Sequence, residues 1–163
     1  MKQLKLGVWI VLLLLFQTTI SRYISVGGIF PDVTFVFIIC FAVLEEKFSY
    51  NIIIPVVCGA LIDLLGDRAF GINVVAYSCS ALICYGIGEQ FFKQKLGFAL
   101  PMVFVFSLLC ESLFFLLHFA VLKEVSFVSS FVSVILPMSV YNAVVTLVIY
   151  PLLKLTVYRN QIQ

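Results

Sequence analysis

The chain has 163 residues, 63% of them hydrophobic and only 11% charged, with a mean hydropathy of +1.19 and a formal net charge of +2. A chain this small has too much surface to hide so many apolar side chains from water, so the composition excludes an ordinary soluble domain and points to lipid. The charge is too small and its basic residues too scattered for a nucleic-acid surface.

Lys2 and Lys5 precede an apolar run that ends near Ile20. Because Ser21-Arg22-Tyr23 offers no small-x-small cleavage site, the run reads as an uncleaved first span, 6–22, rather than a secretory signal. Pro31-Asp32 opens a second span, 29–46, with proline near the first helical position and an acid in the first turn, where the helix dipole favours it. Capping accounts for this pair.

The third and fourth spans, 50–66 and 71–90, flank a glycine-rich acidic stretch. Gly59, Asp63, Gly66 and Asp67 recur at helical spacing and share one face. Glycines admit a neighbouring helix closely in lipid, leaving Asp63 to hydrogen-bond across the contact, with Arg22, Arg68 or the free N–H groups opening the fourth span as partners. This structural role outweighs a proton or substrate site. Gly71-Ile72-Asn73 reads as a tight turn into the fourth span.

The fifth span, 97–122, carries Glu111 and His118 seven residues apart on one face. A proton relay is one reading of this intramembrane polar pair. The other, which is favoured, is a protonated Glu111 or one bonded to Tyr141 or Asn142. The final apolar run, Phe127 to Tyr158, is too long for one span, and Pro137 divides it into a sixth span, 137–157, and an interfacial helix, 125–136, patterned by Ser126, Ser129, Ser130 and Ser133. The alternative is a sixth helix that starts earlier and kinks at Pro137.

The fold class is therefore all-α and polytopic, six transmembrane helices forming one integral membrane domain over 1–163. Lys2, Lys5, Lys47, Lys93, Lys95, Lys154 and Arg159 fall on one side and Arg22, Arg68 and Lys123 on the other, which places both termini in the cytoplasm. The five cysteines lie in apolar runs without CxxC spacing and read as packing residues. There is no HExxH, no GxSG context, and Gly86-Ile87-Gly88-Glu89 is only a fragment of a phosphate loop, so no enzyme, cofactor or metal is expected.

Pro31-Asp32, then Gly59-x-x-x-Asp63-x-x-Gly66 with Gly71-x-Asn73, then Pro137-x-x-x-Tyr141-Asn142 followed by Tyr150-Pro151, form an ordered set over nearly the whole chain. That set resembles the rod shape-determining protein MreD family. The resemblance implies a non-catalytic scaffold in the bacterial inner membrane, serving the cell-elongation machinery. Its implied partners are a bitopic MreC-like protein and, indirectly, the MreB cytoskeleton and the glycosyltransferase and transpeptidase of lateral peptidoglycan synthesis. It implies a fold like the substrate-binding subunits of energy-coupling-factor transporters, which makes a vitamin-binding transport subunit the alternative function. Pro31, Asp32, Gly59, Asp63, Gly66, Gly71, Asn73, Tyr141, Asn142 and Pro151 are the fold-determining or partner-facing positions it singles out. The phenylalanines concentrated from Phe98 to Phe119 and Phe127 to Phe131 are compatible with docking of a partner's single helix and equally compatible with lipid contact.

Overall fold

A computed structural model describes residues 2–20, 23, 28–65, 71–90, 96–122 and 130–158. Among these the chain is helical without strands: α1 Lys2–Leu15, α2 Val33–Leu44, α3 Phe48–Leu65, α4 Ile72–Gln90, α5 Leu96–Leu122 and α6 Leu136–Val157. Two π-helical turns, Phe16–Ile20 and Phe131–Ile135, extend α1 at its end and lead into α6. Helices that satisfy every backbone group internally are what a chain of this hydropathy must form in lipid.

The helices are unequal. Three apolar stretches, Phe48–Leu65, Leu96–Phe115 and Phe131–Val157, are long enough to cross a membrane alone, whereas Gln3–Thr19, Val33–Leu44 and Ile72–Gly88 are shorter. The shortest is the centre of the molecule. Every residue of α2 is buried, and its middle, Val36 to Phe41, has no exposed surface at all. At about 1.5 Å per residue its 12 residues cover only about 18 Å. It survives inside a bilayer-sized bundle because α1, α3, α4, α5 and α6 surround it and lipid does not.

Aromatic rings fix α2 in this position. Phe37 stacks on Trp9 of α1 at 6.2 Å, Phe35 packs on Tyr77 of α4 at 5.6 Å, and Phe41 lies 6.5 Å from Tyr158 beyond α6. The outer helices turn large aliphatic side chains outward, such as Ile53, Leu64, Val75, Leu113, Val144 and Leu155. That inversion, with packed aromatics inside and aliphatics outside, suits a lipid solvent that is itself apolar.

Proline shapes the entry to α6. Pro137 has no N–H, and in a regular α-helix its ring would press on the carbonyl of Ser133, so an α-helical turn cannot pass unchanged. The widened turn solves this, with the N–H of Leu136 reaching back to the carbonyl of Phe131. The chain is thus helical from Ser130 into α6. The remainder of the interfacial helix expected over 125–136 lies outside the described residues. In α1 the matching turn is closed by Thr18, whose Oγ1 donates to the carbonyl of Leu14 at 2.9 Å.

The start of α2 differs from the sequence reading in one detail. Asp32 is the N-cap and Pro31 precedes it, so the proline sets the approach to the helix and does not occupy its first turn. The two ends of the chain meet. Lys5 Nζ donates to the carbonyl of Thr156 and Trp9 Nε1 to Thr156 Oγ1, both at 2.9 Å, so the start of α1 and the end of α6 share one face of the bundle.

α3 packs closely on α4 at Gly59. A Cβ built at Gly59 would lie 2.6 Å from Val74 Cα and 2.7 Å from Val74 N, backbone atoms that cannot swing aside. Gly86, by contrast, has open space around it. Gly59→Ala is therefore expected to destabilise the protein by about 1–3 kcal/mol through forced separation of the two helices, while Gly86→Ala leaves stability unchanged or slightly higher. Unfolding midpoints in a graded denaturing detergent series check the pair.

Candidate functional site

The polar side chains converge on three places. The first is the junction of α3 and α4. Asp63, 5% exposed in an apolar helix, accepts four hydrogen bonds: Gly71 N at 2.9 Å and Val74 N at 3.2 Å on Oδ2, and Asn73 N at 3.1 Å and Asn73 Nδ2 at 2.8 Å on Oδ1. The opening amides of a helix have no partner within it, and they carry the positive end of the helix dipole. The carboxylate supplies what they lack. Gly71 makes the geometry accessible with φ of 98°, a conformation that residues with a Cβ rarely adopt. Gly66, Asp67, Arg22 and Arg68, also singled out in this region, lie outside the described residues.

The second is the start of α2, where five helices meet. Asp32 Oδ1 accepts from Phe35 N at 3.0 Å as a helix cap, and Oδ2 accepts from Tyr77 OH of α4 at 2.7 Å. The N–H of Asp32 donates to Asn142 Oδ1 of α6 at 2.9 Å, and Asn142 Nδ2 donates on to Ser107 Oγ of α5 at 2.7 Å. The N–H of Val33 donates to Gln17 Oε1, which the π turn of α1 brings inward, at 2.9 Å. The backbone of Asp32 and Val33 thereby ties α6 and the end of α1 to α2, the Asp32 side chain adds α4, and Asn142 carries the link on to α5.

The third lies at the opposite end of α2. The buried Glu45 carboxylate accepts from Tyr158 OH at 2.8 Å and from Lys47 N at 3.1 Å, and Asn51 Nδ2 donates to its carbonyl at 3.3 Å. Tyr85 OH reaches the carbonyl of Glu46 at 3.1 Å. Burial, and then the adjoining Glu45 carboxylate, raise the pKa of the Tyr158 hydroxyl above its ordinary value of 10.0, which keeps it a donor.

The sequence-singled residues are thus drawn into two groups, Gly59, Asp63, Gly71 and Asn73 in one and Pro31, Asp32 and Asn142 in the other. Tyr141 and Pro31 line a second, smaller cavity of about 380 Å³ between α1 and α6. Pro151 sits inside α6. Glu111 is half-buried on α5, while the amide of Asn142, offered as its partner, is engaged with Asp32 and Ser107. His118 belongs to the part of α5 whose side chains lie outside the described residues. Gln17, Tyr77, Ser107, Glu45 and Tyr158 were not legible as a set, since each is a polar residue of ordinary spacing whose partner is on another helix.

An open groove of about 730 Å³ lies between α4 and α5, lined by apolar residues with Ser80 and Cys110 paired at 3.3 Å along it. No group of three or more potential metal ligands occurs among the described residues. The α5 phenylalanines whose side chains are described, Phe98, Phe104, Phe106, Phe114 and Phe115, are buried or half-buried, so the outward surface there is aliphatic rather than aromatic. A whole-chain architecture in which polar groups bind helix to helix accords with what the comparisons return: the family model for the rod shape-determining protein MreD matches residues 2–159. The chain belongs to the MreD family.

The family assigns a role in rod-shape determination and a membrane setting, and MreD is a shape-determining structural protein rather than a known enzyme. It is associated in general with the MreC and MreB shape system. No curated protein and no solved structure gave a match. The vitamin-transporter alternative gains no support.

Two substitutions separate the polar junctions by size. Asp63→Leu strands three backbone donors in apolar surroundings and is expected to cost on the order of 4 kcal/mol. Tyr77→Phe removes one interhelical hydrogen bond and is expected to cost about 1 kcal/mol, as is usual within membranes. Chemical unfolding of the purified variants in one detergent measures both, and equal losses would contradict the assignment.

Proposed function

We propose that this MreD-family protein is a non-catalytic scaffold of the bacterial cell-elongation complex, a six-span protein of the inner membrane with cytoplasmic termini that holds an MreC-like bitopic partner. The observation that carries the reading is the family match over residues 2–159. Support comes from the polar chemistry. Asp32, Asp63, Asn73 and Asn142 direct hydrogen bonds from one helix to another, and both cavities are lined almost wholly by apolar side chains. Such an interior makes a rigid platform. The meeting of Lys5 with Thr156 supports termini on one side, and the excess of Lys on that side supports the cytoplasm.

Pro31, Asp32, Gly59, Asp63, Gly71, Asn73, Asn142 and Pro151 act on this reading through the shape of the platform. Gly66 and Tyr141 complete the set as partner-facing candidates. A rigid platform offers the partner a preformed surface, so less ordering is needed on binding. Cell-wall synthesis is served indirectly, through the partner.

The direct test is purification from mild detergent of the tagged chain co-expressed with an MreC-like protein. A stoichiometric complex is expected, and a chain that elutes alone while remaining folded would overturn the proposal. Glu111→Gln is expected to restore rod shape in cells lacking the native protein as well as the parent does. Loss of shape with the complex intact would instead indicate proton handling at Glu111.

A further inference from the structure

The hydrogen bonds at the start of α2 mark a common depth on the helices they join. Counting rise from that mark at about 1.5 Å per residue, α4 extends only about 8 Å from Tyr77 to its start at Ile72. Leu65 of α3 ends level with it, because Asp63 is bonded to the first amides of α4. From Ser107, however, α5 runs on for about 22 Å to Leu122, and from Asn142 the helical chain of α6 reaches back about 16 Å to Phe131. The α5–α6 pair therefore outreaches α3 and α4 by about 8 to 14 Å at the end remote from the chain termini, measured along the helices. Tilts of the usual size, about 20°, shorten such projections by under a tenth.

The overhang is mostly apolar in sequence. It runs from Phe114 to Leu122 on α5, interrupted by His118, and from Phe131 to Ile135 ahead of α6, interrupted by Ser133, with Val132 63% exposed and Val134 47% exposed. At the other end the exposed Glu46 and Lys47 mark the edge of the bundle, about 21 Å from Asp32. A flat hydrocarbon layer of about 30 Å starting there ends about 9 Å past Asp32, near the ends of α3 and α4. The overhang would then stand in water. Leaving exposed apolar side chains such as Val132 and Val134 in water costs more than stretching lipid by a few ångströms, because mismatch is cheap per ångström whereas exposed apolar area is not.

We infer that the protein imposes a step in bilayer thickness, with lipid thickened around the α5–α6 overhang and of ordinary or reduced depth along α3 and α4. The occupant of the overhang is the acyl region of the surrounding lipid. The inference rests on the membrane-embedded reading above and adds an asymmetric demand on the bilayer to it. A protein of this shape is drawn to thickness boundaries and to partners whose own spans match either flank.

Tryptophan depth measurements on the full-length chain test it, with Trp9 retained and the parent signal subtracted. Val132→Trp, Leu65→Trp and Val57→Trp are each placed at lipid-facing positions and read in vesicles of phosphatidylcholine brominated at shallow or deep carbons, with iodide as aqueous quencher. Val132→Trp is expected to be quenched severalfold better by brominated lipid than by iodide, while Leu65→Trp responds best to the shallow bromines. If Val132→Trp is reached by iodide and not by brominated lipid, the overhang stands in water and the step is refuted. If Leu65→Trp responds best to deep bromines, the bilayer is uniformly thick and the step is again refuted. Val57→Trp, midway along α3, separates the two readings, since failure of deep bromines to quench it would refute the membrane embedding itself.

Discussion

The backbone at the start of α2 presents amide donors that the first turn of a helix leaves without backbone partners. Asp32 and Val33 resolve this by bonding to side chains of other helices, Asn142 and Gln17, while the Asp32 side chain caps its own helix and takes the hydroxyl of Tyr77. In an aqueous protein these contacts would compete with solvent and contribute modestly. In lipid the alternative to each bond is an orphaned group, so the arrangement of helices that satisfies them all is strongly selected. The bundle is organised around that single demand.

The same logic explains why a twelve-residue helix can serve as the axis. A helix facing lipid must be long enough to place its ends at the membrane surface, whereas one enclosed by protein need only have its ends bonded. Asp32 with its partners does this at one end and Glu45 with Tyr158 and Lys47 at the other. Freed from the length requirement, α2 is free to be short and uniformly apolar, and its aromatic residues to key into α1 and α4. Length falls instead on α5 and α6, the helices that project beyond their neighbours.

In this bundle the central polar side chains are engaged between helices. The carboxylate of Asp63 is consumed in stitching α3 to α4 at the contact Gly59 makes close, and the amide of Asn142 bridges α2 and α5.

Composition and spacing by themselves determined the solvent, the helical class and the glycine-and-acid junction before α4, because those depend on local hydrophobicity and on residues a few positions apart. In the sequence, long apolar runs that end at charges or glycine mark the stretches that form α3, α4 and α5. Burial of α2 on every side was not legible, since a run such as VTFVFIICFAVL reads alike whether lipid or protein surrounds it. Nor were the bonds among Gln17, Asp32, Tyr77, Ser107 and Asn142, or between Glu45 and Tyr158, which join positions up to 113 residues apart. Only the packing of the helices decides which polar side chains come within reach of one another, and in a medium without water that reach decides which of them the fold can keep.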